Sequence, residues 1–278
     1  MTEAMERNIE EYLVMLEQEE RSVATRKQYE RDIRSFFSFA GEEAITKEVV
    51  IRYKEELVGR CSPTSVNAKL AAINGFFSFL GKAEWRVRAL KIQRKAFCPK
   101  EKELSENQYW KLVNTARKKG DIRLVLILET LCSTGIRISE LPFITVQAIQ
   151  MGEAVVQLKG KTRTVLISGK LKKSLKAYAK REKIREGSIF VTKTGKPMDR
   201  SNIWKKMKEL CEEAGVDKEK VFPHNLRHLF ARSFYRINKD LAKLADVLGH
   251  SNINTTRIYI ITSGREHQEC IDALGLAS

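Results

Sequence analysis

Apolar residues recur at three- and four-residue spacing through most of the chain, in runs opened by capping side chains and closed by glycine. This pattern confines the fold to packed helices. Residues 5–20 make an acidic amphipathic stretch. Ser22 stands as an N-cap before a run that brings Tyr29, Ile33, Phe36 and Phe37 to one face and stops at Gly41. Thr46 is placed to cap the next helix, ending near Leu57. Ser62-Pro63 then gives a cap followed by proline at the first helical position, where the missing N–H costs nothing. That helix aligns Val66, Leu70, Ile73, Phe76, Phe77 and Leu80 and stops at Gly81. Four short helices predict a small helical domain over residues 1–85.

Residues 86–102 read as a basic linker: six of residues 86–100 are basic and none is acidic, and Pro99 interrupts regular structure. The run is either a solvated face or a segment lying along a phosphate backbone. Residues 103–278 form a second domain. It opens with a capping box at Ser105 and Gln108, followed by a helix to about Arg117. Residues 121–133 are apolar nearly all round, which predicts a buried central helix. EAVVQLKGKTRTVLIS reads as a β-hairpin with a tight glycine-containing turn, and SIFVT as a brief strand. Helices are expected at 170–184, 201–214, 225–237, 240–248 and 264–273. The fold class is therefore mainly α, with one small antiparallel sheet in the second domain.

Charge narrows the function. The net charge is +16, of which residues 1–100 contribute +3 and the remainder +13. Such an excess attracts polyanions, nucleic acid first among them. No apolar run reaches the length of a membrane span. The N-terminus is acidic and periodic, unlike a secretory signal. Five scattered cysteines with no C-x-x-C pair suit reduced thiols in a cytoplasm and argue against a disulfide scaffold or zinc ribbon.

Two of the four histidines stand in PHNLRH, at His224 and His228 with Arg227 between them. His250 lies in LGHSNINTTRIYI, nine residues before Tyr259, and Arg137 sits in TGIRISEL. Phosphoryl transfer to a tyrosine needs this grouping. A phosphodiester gains negative charge as it becomes five-coordinate, and fork-shaped guanidiniums clamp its oxygens. A phenol is a poor nucleophile without a proton acceptor, which histidine supplies. The departing 5′-hydroxyl needs a proton, which a lysine at the hairpin tip can give. Individually, these residues have plainer readings. Arg137 could simply pair with Glu140, Tyr259 could be a core tyrosine, and Thr255-Thr256 could be a helix cap. His224 and His228 have the spacing of metal ligands, but there is no third ligand nearby and an arginine lies between them, so no metal site is expected.

Taken together, these motifs make the chain similar to the tyrosine recombinases, which include phage integrases and Xer-type enzymes. The T-G-x-R-x-S-E-L motif falls on Arg137, with Glu140 in the supporting acidic place. H-x-L-R-H falls on His224, Arg227 and His228. L-G-H-x-x-x-x-T-T-x-x-Y falls on Leu248, Gly249, His250, Thr255, Thr256 and Tyr259. The resemblance implies that residues 1–85 are a SAM-like core-binding domain for DNA and residues 103–278 the catalytic domain. It implies that Tyr259 attacks, that Arg137, Arg227 and His250 stabilise the transition state, and that His224 handles a proton while His228 braces the site. The hairpin is shorter than is usual in the family. Counting from VVQL makes Lys161 the catalytic lysine, and counting back from Arg163 makes it Lys159. Ile260 replaces a histidine frequent after the tyrosine. The implied reaction cleaves and rejoins double-stranded DNA through a 3′-phosphotyrosyl link and a Holliday junction, without cofactor. Four copies would gather two DNA sites, with accessory DNA-bending proteins, and the C-terminal helix in REHQECIDALG would pack on its own domain or dock into a neighbour. A type IB-like topoisomerase and an inactive DNA-binding regulator are the alternatives.

Overall fold

The structure, a computed structural model, describes residues 3–92, 103–158, 160–192, 194–259 and 272–273. The chain divides into two compact units, Met1–Arg94 and Lys95–Ser278.

The first unit is built from α1 (Glu3–Gln18), α2 (Val23–Ala40), α3 (Lys47–Arg60) and α4 (Pro63–Phe79). Ser22 caps α2 by accepting from the Thr25 amide, and Ser62 caps α4 by accepting from Ser65. Thr46 occupies the N-cap position of α3, but its side chain makes no capping hydrogen bond. The apolar faces meet in an aromatic core. Phe36 lies edge-on to Tyr53 at 5.4 Å and to Phe77 at 5.6 Å, and Tyr12 lies edge-on to Phe76. Burying a ring of this size contributes about 1.5–3 kcal/mol. One carboxylate enters this interior: Asp32 is fully buried, and its oxygens accept from Lys69 Nζ at 2.9 Å and Gln28 Nε2 at 2.6 Å. Asn74 and Asn67 on α4 each exchange two hydrogen bonds with the extended segment that follows. Asn74 bonds both backbone groups of Val87, and Asn67 both of Leu90. Residues 86–92, within the basic stretch, are thus held on the first unit.

The second unit is organised round α6 (Ile122–Thr134). Leu124, Val125, Leu126, Ile127 and Leu128 are all buried, because α5 (Glu106–Lys118), α8 (Gly169–Arg181), α9 (Arg200–Ala214) and α10 (Pro223–Asn238) pack about it. The Ser105–Gln108 capping box opens α5. A short α7 (Val146–Met151), which the sequence reading did not anticipate, leads into the hairpin of β1 (Glu153–Leu158) and β2 (Lys161–Leu166). The hairpin register pairs Ala154 with Val165, Val156 with Arg163 and Leu158 with Lys161. Ala154, Val156 and Val165 face the core, while Val155 and Leu166 face out, as the two-residue period of a strand requires. SIFVT is not a strand. Only isolated bridges join Thr145 to Ser188 and Val191 to Pro197. Neighbouring Ile189 and Phe190 are both buried, so the segment lacks strand alternation. The chain continues through α11 (Leu241–Leu248) and α12 (Ile253–Arg257). The helix expected at 264–273 falls almost wholly outside the described residues. Among the described residues no helix is long and apolar enough to cross a membrane.

Replacing Phe36 with alanine should lower the unfolding free energy by about 3–5 kcal/mol in urea titrations of the whole chain. An unchanged midpoint would remove Phe36 from the core.

Candidate active site

Local folding rules bring the motif residues together. Pro223 starts α10, which carries His224, Arg227 and His228 at three- and four-residue spacing, hence on adjoining positions of one face. Gly135 ends α6 at φ +63° and turns the chain into Arg137. A Cβ there would run into the Phe230 ring, so glycine is needed both for the angle and for the approach. Gly249 ends α11 in the same left-handed conformation and delivers His250.

Arg227 lies at the centre with only 1% of its surface exposed. Its Nη1 donates to the Gly135 carbonyl, and its Nη2 to the Leu248 carbonyl at 2.8 Å and to His250 Nε2 at 2.8 Å. A guanidinium has no acceptor, so Nε2 of His250 must be the unprotonated nitrogen. Nδ1 therefore carries the proton and donates to Thr256 Oγ1 at 2.8 Å. Thr256 is fully buried, and Asn252, not either threonine, caps α12.

Tyr259 closes over this group with 6% exposure. Its ring stacks on His250 at 5.6 Å, meets His228 edge-on at 4.3 Å and lies 5.6 Å from His224. Arg137 is more open. Its Nη1 donates to Glu140 Oε1 at 2.9 Å, and its backbone amide donates to Oε2 at 2.9 Å. It thus does pair with Glu140, yet it also lines a cleft of about 830 Å³ with Thr162, Arg163, Asp246, His250 and Thr255. Lys161 opens β2, but its side chain and all of Lys159 fall outside what is described. His224 and His228 stand with their rings 4.7 Å apart. Among the described residues no three His, Cys, Asp or Glu side chains gather as metal ligands.

Electrostatics follow from burial and from the crowding of cations. Burial, then Arg137, pulls Arg227 down to about 10. Burial, followed by Arg227, Arg137 and Arg163, lowers His250 to about 4. Burial and then His224 lower His228 to about 3. His224 is also lowered, first by burial and then by Arg227 and Arg137. All three imidazoles are therefore neutral near pH 7 and able to accept a proton. Burial pushes the Glu140 carboxyl up, but bonds from Arg163 and the Arg137 amide, with both cations, outweigh it and hold the group below its ordinary value. Three guanidiniums, Arg137, Arg163 and Arg227, outnumber the two carboxylates, Glu140 and Asp246, and the surplus of positive charge suits an anionic ligand.

Arg163 is the residue that sequence reasoning passed over, having used it only as a counting mark. The available signal was its strand parity, since it alternates with Val165 on the inward face.

Comparisons with known proteins identify the family. The model described as "Phage integrase family" matches residues 102–264, and "Phage integrase, N-terminal SAM-like domain" matches residues 9–84. The chain belongs to the phage integrase family. As a tyrosine recombinase it is an enzyme of site-specific recombination. It is 30% identical over 259 residues to tyrosine recombinase XerC of Thermodesulfovibrio yellowstonii, covering 84% of each chain. It is 29% identical to tyrosine recombinase XerA of Pyrococcus furiosus, over 96% of this chain and 94% of that one. Among solved structures, a crystal structure of XerA recombinase matches with a TM-score of 0.55 at 26% identity, over 99% of this chain and 100% of the other. A lambda integrase tetramer bound to a Holliday junction shares the fold, with a TM-score of 0.73 at 16% identity over 92% and 76%.

The lowered imidazole values set an acid limit. Unfolded, a histidine binds its proton near pH 6.5, whereas folded His250 and His228 do so only near 4 and 3. Between those values the unfolded chain holds more protons. Stability is therefore present above pH 6.5 and is lost as pH falls towards 3. The thermal midpoint should drop by roughly 4 °C or more between pH 7.5 and 5. His228→Phe, which keeps a ring but cannot titrate, should flatten part of that drop. Identical profiles for the two proteins would contradict the burial of His228.

Proposed function

We propose that Tyr259 attacks a scissile phosphate of double-stranded DNA and becomes covalently joined to its 3′ end. The observation that carries this reading is the packing of the Tyr259 ring among His224, His228 and His250, within hydrogen-bonding reach of buried Arg227. In the first step the phenolic oxygen bonds to phosphorus and the bond from phosphorus to the 5′ oxygen breaks. The phenolic proton passes to neutral His224, and a hairpin lysine, Lys161 or Lys159, protonates the departing 5′ oxygen. Arg137 and Arg227 meet the charge that builds on the non-bridging oxygens, and His250 joins them once its ring is released from its bonds to Arg227 and Thr256. A 5′-hydroxyl from a partner strand then reverses these transfers and restores the backbone.

Tyr259 is covered, and both Nη groups of Arg227 are engaged by protein carbonyls and His250. Productive contact with a phosphate therefore requires the segment carrying α12 and Tyr259 to shift when DNA binds. The first unit would contribute DNA contacts as a core-binding domain. Four copies would act on two sites through a Holliday junction; a lambda integrase tetramer is bound to such a junction. A cytoplasmic location and help from DNA-bending proteins complete the reading.

The test uses suicide duplexes nicked beside a randomised segment, with denaturation to trap covalent complexes. The wild-type chain should give a DNA-linked band whose recovered sequences converge on a recurring site. Tyr259→Phe should keep its DNA affinity and form no adduct. Adduct from Tyr259→Phe would dismiss the assignment of the nucleophile, and trapping on all duplexes alike would point to a topoisomerase.

A further inference from the structure

Arg163 stands in the middle of β2, opposite Val156 on the inward face of the hairpin, with only 12% of its side chain exposed. Its two terminal nitrogens reach in different directions. Nη2 donates to Glu140 Oε2 at 2.6 Å, and Nη1 donates to the Val247 carbonyl at 3.0 Å. Val247 belongs to the last turn of α11, whose end delivers His250. Glu140 in turn receives the amide and the guanidinium of Arg137. The side chain reaches these partners by crossing Gly249, where a Cβ would collide with Arg163 Cδ. One planar fork therefore touches the supports of two proposed phosphate-binding groups, and it is rooted two residues along the strand from Lys161.

We propose that Arg163 is a positioning residue that fixes Glu140, and through it Arg137, against the end of α11 that carries His250. The inference rests on the functional reading above and deepens it. Glu140 has two oxygens and must present one to each arginine. With Arg163 holding Oε2, Oε1 is left to Arg137 Nη1. Without that bond Oε2 keeps only the Arg137 amide, the carboxylate is held less firmly, and Arg137 loses part of its fixed aim. The planar geometry is what matters here, because an ammonium is a single point of charge and does not offer two divergent donors in one plane.

The experiment measures the first-order rate of covalent trapping on a nicked duplex of the selected sequence, together with DNA affinity and thermal midpoint. Arg163→Met should slow trapping by about a hundredfold, the scale expected when a reacting group is misplaced by an ångström, with DNA affinity little changed. Arg163→Lys retains the charge and guards against a variant that fails to fold. It should fall between Arg163→Met and the wild type. Glu140→Gln should also slow trapping, and the double variant Arg163→Met/Glu140→Gln should be no slower than the worse single variant, because both changes interrupt one path. Multiplying losses would show that Arg163 acts on the phosphate by itself and would overturn the proposal. So would wild-type rates in Arg163→Lys, or a loss that lies wholly in DNA affinity. Failure of the wild-type chain to form any adduct defeats the functional reading and this one with it. A wild-type adduct with unaffected Arg163 variants defeats only this one.

Discussion

A guanidinium with 1% of its surface exposed is an expensive thing to fold round, because moving an ion out of water costs several kcal/mol unless its donors find partners. Arg227 meets that demand with the carbonyl that ends α6, the carbonyl that ends α11 and the free nitrogen of His250. The last turns of helices carry partial negative charge and unpaired carbonyls, so they are natural acceptors for a cation. The same bonds therefore offset the burial of Arg227 and fix the ends of α6 and α11 against the N-terminal part of α10. Arg137 follows directly from the α6 terminus and His250 from the α11 terminus, so the geometry of the site depends on this one buried charge. The Nε of Arg227 has no partner among the described residues. The network thus satisfies two of the three nitrogens and leaves the site short of complete saturation.

Much of this was legible in the chain itself. Caps at Ser22, Ser62 and Ser105 were readable because a hydroxyl or amide placed before an apolar periodic run has few other uses. The site motifs were readable because the chemistry demands particular side chains, and the structure brings Arg137, His224, Arg227, His250 and Tyr259 into one neighbourhood. What escaped the reading depends on long-range contact. Thr46 stands at the N-cap of α3 but its hydroxyl makes no capping bond, because cap geometry depends on the approach of the preceding loop. SIFVT has strand-like composition, yet tertiary packing buries Ile189 and Phe190 side by side. The role of Arg163 lies in partners 23 and 84 residues away, and no local pattern announces such partners.

The histidines illustrate how one environment assigns different parts to the same residue type. His250 is locked by donors and acceptors on both nitrogens, so its tautomer is set by Arg227 and Thr256. His228 meets Tyr259 through ring contact. His224 is the more exposed of the α10 pair, and its proton affinity is lowered by burial and then by Arg227 and Arg137. Low proton affinity is common to all three, and it arises mainly from burial beside cations, not from any special bond.

The segment after α4 has a consequence of its own. Asn67 and Asn74 treat Val87 and Leu90 as a neighbouring strand would, so the segment is pinned to α4 at two points. Val87 turns inward while Arg86 and Arg88 on either side point to solvent. Side chains two apart on an extended backbone recur about every 6.6 Å. What composition alone would describe as a diffuse cloud of charge includes, at Arg86 and Arg88, two arginines rooted at one fixed spacing. That spacing is set when the first unit folds, so a polyanion meeting the pair would not have to impose it.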